Sequence, residues 1–222
     1  MHAVAQGALA LSLLLLAPEL AFAQDASPER IVLAPVSSLS GGNSKELDAI
    51  EKVVEKGLSA LPDFTLIAAS EANSASRRAK RPELRSCEGD VSCLSELGKL
   101  LSASYCVYAE VGGLGDAQVV YLKLVNVQTA REVRSTTLEL LGDGSANQHS
   151  AAAATRLVTP DRFVGQLQVT TSLPGAMVFL DGHKIATTPS PPIDIYVGSH
   201  ALRVTHPERS DYVRWVDIEF GG

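Results

Sequence analysis

The chain has 222 residues, a formal net charge of −6 and an aromatic content of only 5%. The mild net negative charge argues against a nucleic-acid-binding surface. The length is compatible with one large or two small domains.

The first 23 residues have the pattern of a secretory signal peptide. An apolar run over residues 8–17 precedes Ala21-Phe22-Ala23, which fits an A-x-A cleavage site. The run is shorter than the roughly 20 apolar residues of a transmembrane helix. The pattern departs from the usual one because no Lys or Arg precedes the apolar run. It predicts export to the periplasm or the cell exterior, without a transmembrane span in the mature chain.

The next residues predict a strand, a helix and a second strand. The first strand covers Arg30–Leu39, where Pro35 suggests a sheet edge or a bulge. The helix follows the cap Asn43, and the second strand covers Phe64–Ala69. Apolar residues at helical spacing mark the helix: Leu47, Ile50, Val53, Val54, Leu58 and Leu61. A strand-helix-strand unit of this size favours parallel pairing with a right-handed crossover.

A basic stretch over Ser74–Arg85 contains five Lys or Arg residues. It has two interpretations, a docking patch for an anionic partner or a solvated loop or helix face. The second is favoured, because charge runs in soluble proteins usually lie on solvated surfaces.

Cys87 and Cys93 follow a secretory signal and lie six positions apart. In an oxidising compartment such a pair is typically a disulfide. A metal pair and a redox site are the alternatives. Both are less favoured, because the spacing is not C-x-x-C and no His lies close enough in sequence to complete a zinc set. The third cysteine, Cys106, falls within a predicted strand and is expected to be a buried free thiol.

The rest of the first half predicts a helix, an antiparallel meander and a second helix. Ser92 can cap the first helix, whose buried stripe is leucine-rich. A glycine-rich turn over Gly112–Asp116 follows a strand and precedes another, so it predicts a hairpin rather than a phosphate-binding loop. The remaining elements are strands over 105–111, 118–127 and 132–140, a helix over 145–157 and a linker over 159–164.

Residues 165–222 predict a small all-β module. Asp181-Gly182 between two apolar runs is a strong signal for a tight hairpin turn, since both central positions need positive φ. Alternation near the end places Val216, Ile218 and Phe220 on one face and Trp215 on the other. The predicted strands cover 176–180, 183–186, 193–197, 201–204 and 213–220.

The sequence motifs of this module resemble those of the PEGA domain, although the Glu of the Pro-Glu-Gly-Ala turn that names the family is absent. The matching residues are Pro174, Gly175, Ala176, Val178, Leu180, Asp181, Gly182, Thr188, Pro189, Gly198, His200, Leu202 and Val204. The resemblance implies a β-sandwich-like accessory domain of cell-envelope proteins and no catalytic residues. The matching residues are turn formers and core apolar residues, which agrees with a scaffold.

The preceding region, 31–158, resembles an α/β domain similar to the amino-terminal domain of the periplasmic Tol translocation protein. The resemblance rests on the passage from Cys93 to Val107, the following Gly-x-Leu-Gly-Asp and a Leu-x-Leu-Val-Asn-Val strand. It implies a binding or assembly domain. The expected fold class is therefore α+β, with an α/β envelope domain over 30–158 followed by the all-β module.

Motifs of catalysis and cofactor binding are absent from the sequence. It contains no G-x-S-x-G elbow, Walker loop or H-E-x-x-H. His183, His200 and His206 lie next to predicted turns without the carboxylate pattern of a metal site. We therefore predict a protein that is not an enzyme and binds no metal or cofactor.

Two functional hypotheses follow. The first is a non-catalytic envelope protein that binds another envelope protein or a cell-wall polymer, with Tyr196, Tyr212 and Trp215 as candidate contacts, because exposed aromatic residues often anchor interfaces. An alternative role for Trp215 is to cover the seam between the domains. The second hypothesis is a peptidoglycan- or polysaccharide-binding protein, against which the low aromatic content argues.

Overall fold

The computed structural model describes residues 28–39, 41, 44–114, 117–140 and 146–222, with the side chains at 113, 114 and 117 left out. The predicted signal peptide, the predicted cap Asn43, the tip of the 112–116 turn and the start of the predicted 145–157 helix lie outside these residues.

A six-stranded sheet forms the centre of the first part of the chain. Its strands are β1 (Glu29–Leu33), β2 (Ser37–Ser38), β3 (Phe64–Ile67), β4 (Tyr105–Leu114), β5 (Ala117–Asn126) and β6 (Arg131–Leu140). The main order is β3-β1-β4-β5-β6, and β2 pairs with β4. The predicted parallel unit is present as β1 and β3, and the predicted antiparallel meander as β4, β5 and β6.

Of the two alternatives predicted for Pro35, the sheet edge was wrong and the bulge agrees with the register: four steps from Leu33 to Ser37 correspond to three steps along β4, from Val107 to Glu110. β1 ends at Leu33 and lies between two parallel neighbours, β3 and β4, so it is not an edge strand. Proline has no N–H to donate to a sheet. The ladder stops before Pro35 and resumes at Ser37, which pairs with Glu110.

Two helices cover each face of this sheet. The helices are α1 (Ser44–Ser59), α2 (Ala69–Arg78), α3 (Val91–Leu100) and α4 (Ala146–Val158). One core cluster joins α1 and α4 to residues such as Leu33 and Leu124. The other joins α2 and α3 to Val32 and Cys106. Neighbouring residues such as Val32 and Leu33 belong to different clusters, one on each face of the sheet. The first part of the chain is therefore a three-layer α/β/α arrangement.

Two helix starts differ from the sequence prediction. Helix α2 begins at Ala69, whereas the sequence pattern predicts that the strand over Phe64–Ala69 includes this residue. Its N-cap Ala68 has no side-chain acceptor, and the carboxylate of Glu55 in α1 accepts from the Ala69 N–H instead, at 3.1 Å. Helix α3 is capped by Asp90 rather than Ser92, and the Asp90 carboxylate accepts from the Cys93 N–H at 2.8 Å.

Two small sheets form the second part of the chain. The strands are β7 (Val164–Leu167), β8 (Met177–Leu180), β9 (His183–Thr187), β10 (Ile193–Tyr196), β11 (Gly198–His206) and β12 (Arg209–Ile218). One sheet has the order β12-β11-β8-β9, and the other pairs β10 with β7. Their shared core contains Val178, Leu180, Leu202 and Val204 from the larger sheet, with Leu167 and Ile195 packed against it. The arrangement is the predicted all-β sandwich.

The Asp181-Gly182 turn has the predicted backbone. φ is +49° at Asp181 and +84° at Gly182, as a tight hairpin between right-twisted strands requires. The predicted linker contains a short 3-10 helix over Pro160–Arg162, and Val164 already belongs to β7. Arg162 forms an ion pair with Asp63 at 2.5 Å across the junction of the two parts.

Candidate interaction surfaces

The three candidate contact residues lie on three different surfaces. Trp215 and Tyr212 are three positions apart on β12, so their side chains leave opposite faces of the strand. Tyr212 lies opposite the buried Val204 and therefore on the inner face of its sheet, whereas Trp215 lies opposite Ala201 on the outer face. Tyr196 ends β10 in the other sheet. The structure therefore does not bring the three residues into one site.

Trp215 belongs to an exposed apolar area on the outer face of the four-stranded sheet. We call Met177, Phe179, Arg203, Val213 and Trp215 the outer patch. Val213 lies opposite Arg203, which in turn lies opposite Phe179. Trp215 is 70% exposed and Val213 68% exposed. Such exposure excludes the alternative that Trp215 covers the seam between the two parts of the chain.

Arg203 occupies the middle of the outer patch and is held there by two neighbours. Its guanidinium lies 4.4 Å from the centre of the Phe179 ring, a cation–π contact. It also forms an ion pair of 3.7 Å with Asp211. The patch therefore combines exposed apolar side chains with an ordered cation, the combination found at binding hot spots.

The imidazole of His200, in β11, contacts the turn between β8 and β9 and the last residue of β10. Its Nδ1 lies 2.7 Å from a carboxylate oxygen of Asp181, and its Nε2 lies 2.8 Å from the Tyr196 carbonyl oxygen. Both partners are acceptors, so both contacts are satisfied only when the ring carries two N–H groups. The second carboxylate oxygen of Asp181 accepts from the Ala201 N–H at 2.8 Å.

We call the contacts of His200 with Asp181 and with the Tyr196 carbonyl the His200 clamp. Comparison with known protein families shows that residues 164–221 match the PEGA domain. Residues 164–221 are a PEGA domain. The match covers the whole β-sandwich, so the outer patch and the His200 clamp are both parts of this domain.

Several solved structures are similar to parts of this chain. The C-terminal domain of LpoB from Salmonella enterica is 17% identical, covers 51% of this chain and 83% of its own, and has a TM-score of 0.40. The lipoprotein GNA1162 from Neisseria meningitidis is 10% identical, with coverages of 58% and 97% and a TM-score of 0.43. TolB from Acinetobacter baumannii is 13% identical, with coverages of 85% and 47% and a TM-score of 0.38.

None of the identities or scores is high enough to transfer a function. No curated protein matches the chain.

The His200 clamp should make the stability of the PEGA domain depend on pH. The hydrogen bond to Asp181 raises the pKa of His200, with the Tyr196 carbonyl adding to the effect and burial opposing it. The hydrogen bonds from His200 and from the Ala201 N–H lower the pKa of Asp181. The His200 contribution is complete below its unfolded pKa of about 6.5 and is lost as pH rises through the higher folded pKa. The Asp181 contribution is complete above about pH 3.9 and is lost as pH falls through the lower folded pKa.

We therefore expect the loss of stability in a His200→Gln variant to be greatest between about pH 4 and pH 6.5 and smaller at pH 8. Thermal unfolding of wild type and variant at pH 5 and pH 8 measures it. His183→Gln is the control, because His183 adjoins the same turn at the start of β9 but is exposed. Equal destabilisation by His200→Gln at both pH values would show that the ring is neutral in the folded protein.

The cysteines lie in the first part of the chain. Cys87 and Cys93 form a disulfide that ties the loop after a short 3-10 helix (Pro82–Arg85) to the first turn of α3. Cys106 is buried in β4, and burial raises the pKa of its thiol to about 12. A thiol with that pKa is protonated at neutral pH and is therefore a poor nucleophile.

Removing the disulfide with a Cys87→Ser/Cys93→Ser variant should lower the free energy of unfolding by roughly 2 kcal/mol, mainly through the unfolded state. Chemical denaturation with and without dithiothreitol measures it, and the reductant should weaken wild type but leave the variant unchanged. Mass spectrometry of the unreduced protein should find one Cys87–Cys93 bridge and one free thiol. A bridge to Cys106 would contradict the structure.

Within the described residues, no three His, Cys, Asp or Glu side chains are grouped as metal ligands. None of the described helices combines the length and the apolar character needed to cross a bilayer. The basic stretch of the sequence is spread over α2 and the following loop, where Arg77, Arg78 and Lys80 are exposed. Arg81 forms ion pairs with Glu83 and Glu96.

Proposed function

We propose that this chain is a non-catalytic protein of the bacterial cell envelope, exported to the periplasm or the cell exterior, and that its PEGA domain binds an envelope protein through the outer patch. The main observation behind the proposal is that Trp215 and Val213 are exposed beside Arg203, which is held by its contact with Phe179. Large apolar side chains on a solvated sheet face leave unfavourable contact with water, which a bound partner removes.

The chemistry of the buried and paired groups supports a non-catalytic role. Both nitrogens of His200 are committed to hydrogen bonds, and the Cys106 thiol is buried. Neither group is free to attack a substrate or to move a proton to one. The hydroxyl of Tyr108 is likewise engaged in hydrogen bonds: it donates to the Glu110 carboxylate at 2.9 Å and lies 2.8 Å from the Ser37 hydroxyl.

Export is supported by the signal-peptide pattern at the start of the sequence and by the disulfide. The test of the proposed function is capture of an envelope protein by the tagged mature chain, and its loss when Trp215 is replaced. Sedimentation of the mature chain with purified cell-wall sacculi tests the polymer-binding alternative separately. Binding to sacculi with no protein captured would favour that alternative.

A further inference from the structure

A pocket of about 190 Å³ lies at the open end of the PEGA sandwich. We call it the end pocket. It is enclosed by the loop containing Thr171 and Leu173 on one side and by β11 and β12 on the other. The buried side chains of Ala176 and Val204 contribute its apolar lining. Tyr212, which lies on the inner face of β12, provides an aromatic wall.

A register shift brings Arg209 to the same face as Tyr212. Tyr212 lies opposite Val204, and Arg209 lies opposite His206. Two steps along β11 therefore correspond to three steps along β12. Since Val204 and His206 share one face of β11, the extra residue in β12 places Arg209 and Tyr212 on that inner face together. Without the shift, alternation would place Arg209 on the outer face.

The end pocket carries positive charge without a compensating carboxylate. None of the described residues that line it is Asp or Glu. Of the acids next to Arg209 in the chain, Glu208 is not among the lining residues. Asp211 lies at an outward-facing position and forms its ion pair with Arg203 of the outer patch. No salt bridge found in the described part of the chain uses Arg209. An anion entering the pocket would therefore meet a cation that is not neutralised by a protein carboxylate.

Hydroxyl and imidazole groups complete the lining. Ser210 lies between Arg209 and Tyr212, and the Thr171 hydroxyl donates to the Leu173 carbonyl at 2.6 Å. His206 accepts from the Glu208 N–H through Nδ1 at 3.2 Å, so Nε2 carries the hydrogen in its neutral ring. An apolar floor, one aromatic wall and a few polar groups are the composition of a small-ligand pocket.

We propose that the end pocket binds a sugar residue that carries a carboxylate, with the ring against Tyr212 and the carboxylate on Arg209. The volume is below the about 300–1,000 Å³ of pockets for drug-sized ligands, so the pocket fits one ring rather than a longer segment. A planar aromatic wall favours a ring, and a guanidinium favours a carboxylate, which it can bind through two parallel hydrogen bonds. This site is separate from the outer patch, on the other face of the same sheet.

Titration of the ¹⁵N-labelled mature chain, followed by backbone amide shifts, tests this proposal with three probes. Sodium glucuronate supplies ring and carboxylate, glucose the ring alone, and acetate the carboxylate alone. We expect glucuronate to shift the amides of residues 171–173 and 209–212 to saturation. Glucose should bind at least about tenfold more weakly, the effect of losing one charged hydrogen bond. Acetate should also bind more weakly, because it lacks the ring that contacts Tyr212. Acetate binding as tightly as glucuronate, or no saturable shift with any probe, would overturn the proposal.

Variants separate recognition from folding. Arg209→Ala and the milder Arg209→Lys should weaken glucuronate binding and leave glucose binding unchanged, whereas Tyr212→Ala should weaken both. Tyr196→Ala is the matched control, because Tyr196 is an exposed aromatic residue in the other sheet. Unchanged glucuronate affinity in both Arg209 variants would overturn the proposal. If the end pocket binds no glucuronate, the proposed capture of a protein by the outer patch is unaffected. The two proposals can therefore be tested independently.

Discussion

Replacing Gly165 by alanine should destabilise the PEGA domain by about 1–3 kcal/mol or more, the usual cost of overpacking. Gly165 lies in β7, where the chain passes directly against the end of β12. A Cβ at this position would lie 2.0 Å from the Glu219 carbonyl oxygen and 2.8 Å from a side-chain carbon of Ile218. The first of these atoms is backbone, so relief requires movement of the strand itself.

Hydrogen exchange measured peptide by peptide would localise the effect. In Gly165→Ala, peptides within residues 164–221 should exchange faster, and those within residues 29–158 should be unchanged. Gly112→Ala is the control, because the nearest atoms to its Cβ would lie 3.7 and 3.9 Å away, an ordinary contact distance. Unchanged exchange in the PEGA domain of Gly165→Ala would show that β7 and β12 are not packed as described.

Replacing Trp215 by serine should weaken capture of the envelope protein by at least about thirtyfold, the effect of removing a hot-spot residue worth about 2 kcal/mol. The fold should be kept, because Trp215 is 70% exposed and contributes little to the core. A Val213→Ser variant should show a smaller loss, since Val213 offers less contact area on the same outer patch. Surface plasmon resonance with the captured protein immobilised would measure both affinities.

Tyr196→Ser is the matched control for this experiment. Tyr196 is 60% exposed and aromatic, but it lies in the β7–β10 sheet, away from the outer patch. It should bind like wild type. Equal losses in the Trp215 and Tyr196 variants would indicate a general effect of surface aromatics, and no loss in either would place the interface elsewhere.

Local signals in the sequence predicted much of the fold. The Asp181-Gly182 turn, the apolar spacing of α1 and the alternation of β12 each depend on residues close together in the chain. Val216, Ile218 and Phe220 are indeed buried or half-buried, and Trp215 is exposed, as the period of two predicted. The strand-helix-strand unit followed because few topologies satisfy the handedness of the crossover.

What the sequence could not predict depends on contacts between distant residues. Helix α2 lacks a local cap signal because its acceptor, Glu55, belongs to α1. Pro35 left an edge and a bulge equally open, because nothing local revealed that β1 pairs with both β3 and β4. The three aromatic candidates looked equivalent, and only the strand register assigned them to three surfaces.

The end pocket could not be predicted from the sequence for the same reason. Its wall and its cation lie close together along β12, but strict alternation would have placed Arg209 and Tyr212 on opposite faces. The register shift opposite His206 places them on one face. The rest of the lining comes from β11 and from a loop about thirty-five residues earlier in the chain, around Thr171.

Site-specific photo-crosslinking in cells tests the central claim most directly. A benzoylphenylalanine at position 215 of the full-length chain should give one discrete crosslinked envelope protein, and the same group at position 196 should not. Crosslinks of equal yield at both positions, or none at position 215 while the chain is folded and exported, would contradict an interface on the outer patch.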